Sequence, residues 1–73
     1  MLTLRDCPEG SRVAVAEIDV NGPLKQRLLE MGFLPGREVR VIRNAPLRDP
    51  MEVEIMGYQL AIRKDDARFI LVE

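Results

Sequence analysis

The sequence predicts a small, mainly β barrel of five short strands with one short helix inserted at about residues 23–31. Three observations carry this reading. Apolar and polar residues alternate over several short runs, the period of a strand with one buried face. Glycine and proline punctuate those runs at turn positions. At 73 residues and 47% hydrophobic content the chain can fill one core and no more, so residues 1–73 form a single domain. A short meander of this kind buries its apolar faces best by curling up, which also removes exposed edges. With aromatic residues at 4%, the packing rests on aliphatic side chains.

Val13 and Val15 alternate with Arg12, Ala14 and Ala16, giving the first strand. Ile18 is out of phase with them, and a bulge or bend near Glu17 returns it to the inside. Pro23 stands at a first helical position, where no amide donor is needed. Leu24, Leu28 and Met31 then share a helical stripe, with Lys25, Gln26, Arg27 and Glu30 toward water. Gly32 suits the left-handed residue that ends a helix, Phe33 folds back on Leu28, and Leu34-Pro35-Gly36-Arg37 reads as a type II turn. Glu38–Ala45 and Met51–Met56 alternate again and form a hairpin across Pro46–Pro50. Val39, Val41, Met51, Val53 and Ile55 point inward, while Arg40, Glu52 and Glu54 share the outer face and pair in charge. Gly57 marks a turn, Tyr58–Arg63 a strand with Leu60 and Ile62 inside, Asp65-Asp66-Ala67 one helical turn, and Phe69–Val72 the last strand.

Eleven basic and twelve acidic residues leave a net charge of -1, without the basic footprint of a nucleic-acid binder. The single cysteine, Cys7, has no internal disulfide partner, and such a small domain fits a reducing, cytoplasmic setting. Arg5, Asp6, Pro8 and Glu9 interrupt the N-terminal segment, so a signal peptide or membrane span is not expected there. There is no histidine, and Ser11 follows Gly10 where a turn role fits, so no catalytic residue is assigned and the chain is read as a non-enzyme. The GxxxxGK[ST] phosphate cradle is absent as well. One thiol with no histidine cannot make a structural zinc site, and no metal or cofactor residues are assigned. Cys7 is read as a small buried hydrophobe. A polyproline groove needs several Tyr and Trp side chains, whereas this chain has one Tyr and no Trp.

The run Leu24-Lys-Gln-Arg-Leu-Leu-Glu-Met-Gly32-Phe-Leu-Pro-Gly36 resembles the helix-to-turn signature of the ferrous-iron transport protein A (FeoA) family. The resemblance continues through Pro46-Leu-Arg-Asp-Pro50, Gly57-Tyr-Gln-Leu-Ala-Ile-Arg63 and Ala67-Arg-Phe-Ile-Leu-Val72. It implies an SH3-like barrel with an early inserted helix, a family association with transition metals, and one partner. That partner is the membrane ferrous-iron transporter with its cytosolic GTP-binding domain, which the chain would bind and modulate. Cys7 departs from the pattern, standing where an apolar residue is common.

A helix carrying Leu29 beside the Leu24, Leu28, Met31 stripe is wider in apolar surface than a small barrel needs. Leu24, Lys25, Arg27, Leu28 and Met31, with Arg48 at the rim, are therefore the candidate partner-binding residues. The rival reading is the SH3-like regulatory module of a metal-dependent transcriptional repressor. The transporter reading is preferred on the expectation that the chain, opening at Met1, carries no winged-helix domain before its barrel. Self-association through an edge strand or the helix is left open.

Overall fold

The computed structural model describes residues 2–73. Its elements are β1 (Leu2–Thr3), a 3-10 turn (Leu4–Asp6), β2 (Arg12–Ile18), α1 (Pro23–Glu30), β3 (Glu38–Arg43), β4 (Met51–Ile55), β5 (Tyr58–Ile62), α2 (Lys64–Ala67) and β6 (Ile70–Val72). The strands form one antiparallel sheet in the order β1-β6-β2-β3-β4-β5. Among the described residues six strands are present where five were expected. The additional one, β1, has two residues paired with Val72 and Leu71, too few for any periodicity to show in sequence.

Strand β2 makes the sheet curl. Its first half pairs with β3 (Arg12 to Arg40, Val13 to Val39, Ala14 to Glu38) and its second half with β6 (Val15 to Val72, Ile18 to Ile70). The register slips between Val15 and Glu17, so Ala16 is the extra residue of a bulge. That slip lets both Val15 and Ile18 face inward, and both are buried. Overall extents of 28 × 24 × 22 Å are far from flat, since an isolated sheet layer is about 10 Å thick. The sheet instead wraps around one cluster that includes Leu4, Val15, Leu28, Phe33, Val39, Val53, Ile55 and Ile70.

Helix α1 stops as its sequence requires. Phe33 N–H donates to Leu28 O (3.2 Å) and Gly32 N–H to Leu29 O (3.0 Å), the paired bonds of a Schellman ending. Gly32 has φ 111°, and Phe33 and Leu28 are both fully buried in the core. Arg37 N–H then donates to Leu34 O (3.0 Å) and Gly36 has φ 87°, closing the Leu34–Arg37 turn. Strand ends fall short of the predicted runs in four places: β5 ends at Ile62 and β6 begins at Ile70, each one residue short, and β3 and β4 stop early for visible reasons. β3 stops at Arg43 because Asn44 turns away: its N–H donates to Glu9 Oε1 (3.0 Å), and its side-chain amide to Arg5 O (2.9 Å) and Cys7 O (2.7 Å). β4 stops at Ile55 because Met56 (φ 53°) and Gly57 (φ 81°) make a two-residue hairpin turn. Among the described residues no helix is long and apolar enough to cross a membrane.

Candidate functional site

The candidate partner-binding residues divide by the way α1 sits on the sheet. Leu28 points into the core and is fully buried, so it offers no surface to a partner. Its assignment as a contact residue is corrected: the stripe's central position is the one the core takes. Leu24 and Met31, a turn to either side, are half-buried against that core. Lys25 is half-buried and Arg27 exposed, with Arg27 Nη2 3.0 Å from Asp66 Oδ2 of α2. That pair fixes α1 against the turn before the last strand, and its partial exposure keeps its energy small. Four of the six candidates thus lie on α1 and its C-terminal cap, partly accessible on either side of the buried Leu28. Arg48 does not join them. It sits on the β3–β4 loop beside the fully exposed Leu47, in a shallow cleft with Glu9, Arg43, Ala45, Pro50 and Glu52.

An apolar surface absent from the sequence reading surrounds the C-terminal end of α1. Tyr58 Oη donates to Met31 O (3.0 Å), and Met56 Cε lies 3.0 Å from where a Gly32 Cβ would stand. Met56, Tyr58 and Leu34 are all exposed there, and Met31 is half-exposed between them. The Met-Gly pair before Tyr58 was the available signal. A two-residue turn there lifts Met56 out of alternation and swings it toward the helix end.

The polar groups considered for chemistry have structural partners. Glu54 Oε1 lies 3.3 Å from Arg40 Nε across the β3–β4 ladder, as the alternation foretold, whereas Glu52 Oε2 reaches Arg43 Nε at 3.5 Å only because the register slips between Val41 and Arg43 and turns Arg43 outward. Asp65 faces Arg5 at 3.8 Å. Cys7 is fully buried, with its thiol 3.5 Å from Thr3 O. Burial first, and the nearby Asp6 carboxylate second, push the thiol's pKa up, which keeps it protonated and unreactive. The Cys7 environment is that of a small core hydrophobe.

The family model described as FeoA domain matches residues 2–73. A Porphyromonas gingivalis protein that fuses Fe(2+) transport protein A to the Fe(2+) transporter FeoB is 36% identical over 72 residues, covering 99% of this chain and 8% of that protein. The solution structure of iron(II) transport protein A from Clostridium thermocellum superposes with TM-score 0.91 at 33% identity, covering 99% of this chain and 44% of that one. FeoA of Stenotrophomonas maltophilia, solved with zinc and described as a prokaryotic SH3 domain protein, gives TM-score 0.83 at 27% identity over 100% of this chain and 91% of its own. The chain therefore spans less than half the length of two of these relatives. A manganese-dependent transcriptional repressor matches with TM-score 0.83 at 20% identity, over 94% of this chain and 39% of that one. That likeness shows the fold alone. The SH3-like architecture is thus shared with the solved FeoA structures named.

Proposed function

The chain belongs to the FeoA family, and from that membership we propose that it is a non-enzymatic accessory module of ferrous-iron uptake. It docks in the cytoplasm on the membrane ferrous-iron transporter, at the transporter's GTP-binding domain, and modulates transport. The observation that carries this reading is the Porphyromonas gingivalis fusion, in which a relative of this chain is covalently joined to an Fe(2+) transporter. Tethering raises the effective concentration of two modules that work together, so fusion favours partners over strangers. The side chains present fit a docking role: half-exposed Leu24 and Met31 flanked by Lys25 and Arg27 on a helix that the core already holds still. Rigid apolar anchors of this kind lose little entropy on binding. The test is capture of the transporter's cytosolic domain by this chain, compared with its Leu24→Glu variant. Capture by the parent and loss in a folded variant supports the reading. Equal capture by both moves the contact off α1, and no capture by the parent overturns the reading.

A further inference from the structure

Strand β5 lies at one edge of the sheet, and its sequence is Tyr-Gln-Leu-Ala-Ile, with no charge and no proline. The contrast with the other long strands is sharp: β2 carries Arg12 and Glu17, β3 carries Glu38, Arg40 and Arg43, and β4 carries Glu52 and Glu54. Charge belongs on edges, where it blocks pairing with other chains, yet in this sheet it sits on the inner strands. Bulges also blunt edges, but the register shifts fall in the β2–β6 and β3–β4 pairings while β5 pairs with β4 without a slip. At the opposite edge β1 has two residues, short enough to protect itself.

The register determines which backbone groups are free. Ile55 and Tyr58 close a two-residue turn and so form a hydrogen-bonded pair, after which bonded pairs alternate along an antiparallel ladder. Tyr58, Leu60 and Ile62 therefore direct their peptide groups at β4, and Gln59 and Ala61 direct theirs outward. Both residues are exposed. Among the described residues, no turn, loop or side-chain hydrogen bond engages either of them.

We propose that β5 pairs edge to edge and antiparallel with β5 of a second copy of this chain. The strand is self-complementary about Leu60. Turning it on a two-fold axis there puts Gln59 opposite Ala61 of the other copy, and the four outward groups meet as two hydrogen-bonded pairs. Leu60 then meets its own equivalent in the close, non-bonded position, and Tyr58 meets Ile62. Tyr58 is 45% exposed and Leu60 half-exposed, so apolar surface is withdrawn from water in the same step. No like charges are brought opposite each other, because the strand has none. This favours a copy of the chain over a charged peptide as the occupant.

A contact of one short strand per copy belongs at the small, transient end of interfaces, so association is weak and must be sought at concentrations up to about 1 mM. Sedimentation equilibrium of the chain alone, with amide exchange followed by NMR, is the test. The weight-average mass should rise toward the dimer with concentration, and the Gln59 and Ala61 amides should gain protection in step. Ala61→Pro removes an outward donor that an edge strand can spare, and Gln59→Lys restores edge charge. Each should weaken the dimer by at least about tenfold. Should the proline variant fail to fold, the lysine variant decides. A chain that stays monomeric throughout, or a dimer that both variants form undiminished, overturns the proposal. No transporter is present in this experiment, so its failure leaves the docking on α1 untouched.

Discussion

At Gly32 the backbone holds φ 111°, and an added Cβ would stand 3.0 Å from Met56 Cε and 3.4 Å from Tyr58 Oη. The positive φ excludes a branched side chain, and its Cβ would also displace the flexible end of Met56, so Gly32→Val should destabilise by at least about 1 kcal/mol, read as a lowered denaturant midpoint. Asn44 is the second such residue, because one side chain satisfies both Arg5 O and Cys7 O. Asn44→Ala leaves the part-buried Cys7 carbonyl without its partner, and a loss of about 1–2 kcal/mol is expected in the same melt. Cys7 makes a prediction in pH. Its folded pKa is raised above the unfolded value by burial and then by Asp6, so the folded state holds the proton more tightly. The resulting stability is complete below the unfolded pKa, near the ordinary 9.0, and is lost as pH rises from there through the folded value. Urea midpoints should therefore fall above about pH 9 more steeply in the parent than in Cys7→Ala, and parallel curves would show that Cys7 is not the group responsible.

Among the elements, the β3–β4 hairpin shows how alternation turns into a charge ladder. Inward Val39, Val41, Val53 and Ile55 leave Arg40 opposite Glu54, and the register slip after Val41 brings Arg43 opposite Glu52. These pairs are partly exposed, so Glu54→Gln should change stability by less than about 1 kcal/mol, and added salt should shrink the difference further. The Arg40–Glu54 rung, the bulge near Glu17 and the helix stop at Gly32 were all readable, because each follows from side-chain period or from a residue that tolerates unusual φ, whereas the Arg43–Glu52 rung rests on a slip the period does not show. What could not be read came from pairings with distant segments. β1 exists only because Val72 and Leu71 lie beside it, Asn44 leaves β3 for the 3-10 turn at Leu4–Asp6, and Leu28 is core because the curled sheet closes over the middle of α1. Met56 was missed for a related reason: Gly57 marks the turn in sequence, but that the turn carries Met56 to the end of α1 depends on how the two segments pack.

Taken as one molecule, the proposed binding surface was legible as a helix but not as a set of residues. Periodicity identifies the stripe, whereas only the packed fold separates Leu28, which is inside, from Leu24 and Met31, which are half out. Leu24→Glu should accordingly cost about 1 kcal/mol in thermal or urea melts and much more in partner capture. Unfolding of this variant would instead make Leu24 a core residue. The excursion that carries α1 leaves the sheet where Asp19 N–H meets Phe69 O (2.7 Å), and returns where Val15 N–H meets Arg37 O (2.9 Å) and Val15 O accepts from Gly36 N–H (2.7 Å). Both ends are thus stitched to the bent middle of the sheet, and Leu28 and Phe33 nail the span between them. Such a part cannot swing as a lid. It is a handle fixed to the frame: a load applied to its outer face passes directly into β2, and its amides should exchange only when the whole molecule opens.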